Sequence, residues 1–167
     1  MKKIILCPNP NRDRGMETTR RADAILRQMG FQTVVCPPFK DQKDGAYGDY
    51  KTRPLTAELK SADLLITFGG DGTILHAARD ATLHGVPILG VNMGSVGFMA
   101  EVEQGELSML ARLPAGKFTV ETRMMLEVEV RREGKTVFSD LALNDAVISK
   151  GSMARVAEME VLADRVP

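Results

Sequence analysis

Between Asp63 and Leu83 the chain passes from a buried-strand pattern, through three glycines, into a helical pattern, and few folds accommodate that order. Leu64, Leu65, Ile66, Thr67 and Phe68 read as a strand covered on both faces. In Gly69-Gly70-Asp71-Gly72-Thr73 only Asp71 and Thr73 carry side chains, so a ligand can approach the backbone closely. A helix over roughly Ile74–Leu83 follows. The loop therefore joins the carboxyl end of a strand to the amino end of a helix, where free N–H groups and the helix dipole favour phosphate. Asp71 would repel phosphate. It suits a general base for an attacking hydroxyl, or a partner of a Mg²⁺-bound nucleotide. A tight turn in which Asp71 or Thr73 caps the helix accounts for the same residues equally well.

The flanking sequence predicts more elements of the same kind. Lys3–Cys7 and Phe31–Cys36 read as strands around a helix from about Met16 to Met29, which makes a βαβ unit. Lys40 to Pro54, with mixed charges and two glycines, reads as an exposed loop, and a short helix near Leu55–Lys60 follows. Val86–Val91 is a further strand running into Asn92-Met93-Gly94-Ser95-Val96-Gly97-Phe98, and a helix covers about Gly105–Arg112. In a parallel sheet this second glycine loop shares the carboxyl edge with the first. Asn92 offers an amide, Gly94 an open backbone, and Phe98 a ring for a purine or nicotinamide; a core aromatic under a turn is the plainer reading of Phe98 alone. Arg12 and Arg14 lie in the first strand–helix loop, on the same edge, where they meet phosphate or simply stay solvated.

After Phe118 the period changes. Leu126, Val128 and Val130 alternate with Glu127, Glu129 and Arg131, a turn occupies residues 132–135, and Thr136–Leu143 returns as the second strand of a hairpin. Ala146–Ser149 and Ala157–Leu162 suggest two more strands. The expected fold is α/β: a Rossmann-like parallel sheet in residues 1–116, then the beginning of an antiparallel all-β domain in residues 117–167.

Composition narrows the partners. The 22 basic and 22 acidic residues cancel, so neither nucleic acid nor an anionic membrane surface is an expected partner. The apolar run after Lys3 is far shorter than the roughly 7–15 residues of a secretory core, and no stretch approaches a bilayer span of about 20. Two cysteines, Cys7 and Cys36, make neither a disulfide framework nor a zinc spacing, and the expected location is the cytoplasm. His76 and His84 are not at helical metal-pair spacing, and Met124 and Met125 read as packing residues.

Three motifs in order carry a resemblance: Phe68-Gly-Gly-Asp-Gly-Thr-Ile-Leu75, Leu89-Gly-Val-Asn-Met-Gly-Ser-Val-Gly-Phe-Met-Ala-Glu101 and Leu143-Asn-Asp-Ala-Val-Ile148. Together they resemble the NAD kinase family, which phosphorylates the adenosine-ribose 2′-hydroxyl of NAD to give NADP. The first motif is shared with diacylglycerol and sphingosine kinases, so a lipid kinase is the alternative enzyme, and a non-catalytic nucleotide-binding fragment the alternative to any enzyme. The resemblance implies that Asp71 takes the proton from the 2′-hydroxyl and that Gly69, Gly70, Gly72 and Thr73 form the phosphate-facing loop. It also implies that Asn144 and Asp145 hold NAD and that Phe98 packs against the dinucleotide. Mg²⁺ with ATP, or polyphosphate, would be the donor, and the full-length protein a homodimer or homotetramer. The family's later Gly/Ser/Thr-rich motif does not occur in these residues. The chain therefore reads as an N-terminal portion, expected to have little activity alone.

Overall fold

In a computed structural model describing residues 1–39, 45–94, 97–149, 158–164 and 166, the chain forms two compact units, Met1–Met124 and Met125–Pro167. The first contains strands β1 (Lys3–Pro8), β2 (Gln32–Val35), β3 (Leu64–Gly69), β4 (Ile88–Asn92) and β5 (Val102–Glu103). They form one parallel sheet in the order β2-β1-β3-β4-β5. Helices α1 (Glu17–Gln28), α2 (Leu55–Leu59) and α3 (Asp71–Thr82) and two 3₁₀ segments, Arg14–Met16 and Gln104–Arg112, accompany it.

Side-chain alternation along the central strands divides the core into two layers. Ile4, Leu6, Leu64, Ile66 and Phe68 pack with Ala22 and Leu26 of α1 and with Leu107 and Leu110 of the second 3₁₀ segment. Ile5, Cys7 and Leu65 pack with Leu55 and Leu59 of α2 and with Ala77 and Ala81 of α3. Because both faces are covered, β3 has to be apolar throughout, and each of its six residues is buried.

Three local expectations change. The helix expected over Gly105–Arg112 is 3₁₀, started by a reciprocal capping box between Glu103 and Glu106 and broken at Glu106. The loop around residues 40–54 is not simply solvated. Its residues 40–44 lie outside the described residues, but Tyr47 is buried in the α1-side core and the Tyr50 hydroxyl donates to Asp23 at 3.1 Å. Burial and the Asp23 carboxylate push the Tyr50 phenol up to about 12. Charged neighbours hide this anchoring in the composition, because it rests on two aromatic rings with an apolar body and a polar tip. β5, only two residues long, has no sequence signal that separates it from a turn.

The second unit is a hairpin of β6 (Leu126–Arg132) and β7 (Lys135–Ala142), antiparallel, with a bulge after Val130. Its two turn residues, Glu133 and Gly134, have φ of 51° and 75°, the left-handed pair that matches strand twist. The further strands expected at 146–149 and 157–162 are absent: 146–149 and 158–162 form no ladder, and Ala157 lies outside the described residues. An isolated antiparallel bridge joins Ala163 and Val166. Val147, Ile148 and Val161 are exposed. β propensity alone does not make a strand without a partner to receive its hydrogen bonds.

Candidate functional site

α3 begins at Asp71, with Gly70 at its N-cap, and neither Asp71 nor Thr73 supplies a side-chain cap. The Asp71 carboxylate turns instead to the loop after β4. Its Oδ2 accepts from the Phe98 N–H at 3.1 Å and its Oδ1 from the Met99 N–H at 3.2 Å. The approach requires Gly97, where an added Cβ would lie 2.6 Å from Asp71 Oδ1. Gly69 is required in the same way, since a Cβ there would collide with Thr73. Thr73 is buried, and its Oγ1 accepts from Asn9 Nδ2 at 3.4 Å, which ties the loop after β1 to the loop after β3.

The other residues expected at this site divide between scaffold and surface. Asn92 is buried, and its amide donates to both carboxylate oxygens of Glu103 (3.1 and 3.2 Å) and accepts from the Gly94 N–H at 3.2 Å. Its polar atoms are thus engaged in shaping the loop. Gly70 is half-buried, while Gly72 and Gly94 are exposed. Phe98 is 93% exposed, which removes the core reading of this ring; the residue meets the Asp71 carboxylate through its backbone N–H, and its ring is bare. Asn144 and Asp145 are exposed residues in the irregular segment after β7. Asn9, Gly97 and the Met99 amide complete the geometry. The Asn-Pro after β1 and the second glycine of the second loop are their only traces in the sequence.

His76 and Arg79 face a different concavity. With Pro38, Phe39 and Arg53 they line a cavity of about 830 Å³ between α2 and α3, within the range of ligand clefts. The Phe39 and His76 rings meet edge-on at 4.7 Å. Cys7 and Cys36 are both buried free thiols. Burial drives the Cys7 thiol far up and pushes that of Cys36 up to about 12, so neither is a nucleophile at neutral pH. Among the described residues no group of three or more His, Cys, Asp or Glu could hold a metal ion, and no helix is long and apolar enough to cross a membrane.

A doubly wound parallel sheet whose glycine loops meet around one carboxylate defines the α/β class that binds ligands at its carboxyl edge. Comparison with known proteins refines the class. Residues 4–113 match the ATP-NAD kinase N-terminal domain. The NAD kinase of Acetivibrio thermocellus is 35% identical over 162 residues, which cover 96% of this chain and 55% of the relative. That of Aromatoleum aromaticum is 45% identical over 104 residues, 62% of this chain and 35% of its own. A crystal structure of yeast NADH kinase complexed with NADH superposes with a TM-score of 0.69 at 20% identity, covering 86% of this chain and 47% of that one. The chain belongs to the NAD kinase family. It spans about half the length of the curated relatives it matches over nearly its whole length.

Proposed function

We propose that this protein transfers the terminal phosphoryl group of ATP to the adenosine-ribose 2′-hydroxyl of NAD, giving NADP and ADP. The observation that carries the reading is the Asp71 carboxylate, fixed by the Phe98 and Met99 amides at the mouth of a three-glycine loop. Held there, each oxygen keeps a lone pair for the substrate hydroxyl. The 2′-oxygen attacks the γ-phosphorus, its proton passes to Asp71, and the bond to the β-phosphate bridging oxygen breaks as ADP leaves. Little covalent chemistry falls to the protein, so catalysis is mainly positioning and charge stabilisation.

Gly69, Gly70 and Gly72 leave the first amides of α3 open to phosphate, with Thr73 packed beneath them. Asn92 and Gly94 shape the second wall, and Phe98 offers its exposed ring to a base. Asn144 and Asp145, in a domain we assign to residues 117–167, would hold the ribose and base edges of NAD. Mg²⁺ enters this reading with the donor phosphates, since the described residues form no cage for it. The bare strands of the hairpin favour a homodimer or homotetramer, and the two buried free thiols fit a reducing cytoplasm. Because the second unit buries little of its apolar surface, the 167 residues alone should turn over slowly.

The test is NADP formation by the full-length protein with ATP and Mg²⁺, comparing NAD, diacylglycerol and sphingosine as acceptors. Asp71→Asn should lower kcat by about 10²–10⁴-fold with NAD, the usual range for a general base. Phosphorylation of lipid and not of NAD would overturn the reading.

A further inference from the structure

We infer that the loop after β1 is a phosphate-gripping wall of this site and that Arg12 is its guanidinium. The inference rests on the reading above only for the identity of the ligand.

Strand order supplies the first argument. From β1 the chain moves outward to β2 and then returns past β1 to β3, so the order reverses between β1 and β3. At such a switch point the connections leave on opposite faces and open a crevice at the carboxyl ends. Pro8 pairs with Phe68 at those ends, so residues 9–14 and 70–73 form the two lips. The lips are joined: the Asn9 N–H donates to the Phe68 carbonyl at 2.8 Å, and Asn9 Nδ2 donates to Thr73 Oγ1.

The reach of Arg12 supplies the second. Its Nη1 lies 3.6 Å from where a side chain on Gly94 would begin. Gly94 follows β4, and β3 stands between β1 and β4, so the arginine crosses the carboxyl end of β3 above the glycine loop. Among the described residues the Arg12 guanidinium has no ion pair. The backbone that carries it is held firmly. The Arg12 and Asp13 N–H groups both donate to the Asn9 carbonyl. Buried Asp13 accepts from the Thr18 N–H (3.0 Å), the Thr19 N–H (2.9 Å) and Thr19 Oγ1 (2.6 Å). Met16, buried with a left-handed φ of 60°, is tolerated within this frame.

The chemistry fits a chain of phosphates. A planar guanidinium matches two phosphate oxygens at once, and its charge offsets that of Asp71, which would otherwise repel an anion from the loop. Both the ATP triphosphate and the NAD diphosphate present this chemistry.

The experiment uses the full-length protein with Arg12→Gln and Arg12→Lys. KM and kcat are measured with ATP and NAD varied separately, and inorganic tripolyphosphate is tested for its effect on Tm. Arg12→Gln should raise KM about tenfold to a hundredfold for one nucleotide, the loss expected for a charged hydrogen-bonding group. It should also abolish the tripolyphosphate shift in Tm while leaving the ligand-free Tm in place, and Arg12→Lys should restore part of both. A KM effect confined to ATP assigns the donor phosphates, and one confined to NAD assigns the acceptor diphosphate. If the parent binds tripolyphosphate through Arg12 yet phosphorylates no NAD, the loop assignment stands and the acceptor falls. Kinetics within twofold of the parent in Arg12→Gln, together with an unchanged tripolyphosphate shift, overturn the inference.

Discussion

β3 and β6 are strands of similar length with opposite fates. All six residues of β3 are buried between two helical layers, whereas Val128 alone is half-buried in β6 and its other residues are exposed. Leu126 and Val130 remain 40% and 45% exposed on a hairpin that, among the described residues, has no layer of its own to cover them. The contrast separates two sources of order. In the first unit, burial on both faces supplies the driving force, and a surplus remains to hold glycine loops and a left-handed Met16 in place. In the second, hydrogen-bond register and a well-chosen turn define the shape, but a two-stranded hairpin is marginal without a packed face. The Asp71 carboxylate belongs to the first kind of structure, where the positions of neighbouring amides are set by a core.

Hydrogen exchange gives the largest expected separation. Amides of β1 and β3 should exchange at least about 10³-fold more slowly than those of β6 and β7, because core strands open only with global unfolding. Equal protection in the two units would break the comparison. Truncation sharpens it energetically: Ile66→Ala should cost about 2–5 kcal/mol by denaturant melting, and Val130→Ala under about 0.5 kcal/mol. Gly97→Ala tests the link from core to site. Its new methyl would meet the Asp71 carboxylate, so NADP formation should fall about 100-fold while Tm barely moves.

The smallest effect is that of pH. Hydrogen bonding by Lys3 holds the Glu58 carboxyl below its usual range, and the Lys3 and Lys2 backbone N–H groups do the same for Asp63. Both carboxylates therefore favour the folded state fully above their ordinary values of 4.5 and 3.8, and that support is lost as pH falls through and below them. Tm of the first unit should drop modestly between pH 5 and 3, with no matching change reported by hairpin probes.

The sequence is most legible where one local pattern meets one physical need. The run Leu64–Phe68 followed by three glycines announced a buried strand and a glycine-rich turn into a helix. The strand is found, but the turn is tighter than expected, since Gly69 ends β3, Gly70 is the N-cap and α3 starts at Asp71 rather than near Ile74. The sequence is least legible where a residue's role depends on a distant partner. Tyr47 and Tyr50 looked solvated because their neighbours are charged, yet both pack against the α1 side. Ala146–Ser149 had strand-like residues but no ladder to join. Phe98 could be core or surface until its exposure was known.

By itself, then, the sequence determined the α/β class, the order of strands β1 to β4 with their helices, the change of period after Phe118 that leads into the hairpin, and the two glycine-rich turns. These follow from local periodicity and backbone freedom. Only the tertiary structure decided that the Asp71 carboxylate binds the Phe98 and Met99 amides rather than capping α3, that Gly97 makes room for it, and that Arg12 reaches Gly94 across the end of β3. Those contacts join residues 27, 28 and 82 positions apart in the chain. Their geometry is set by strand order and by packing on both faces of the sheet, neither of which is a property of any local segment.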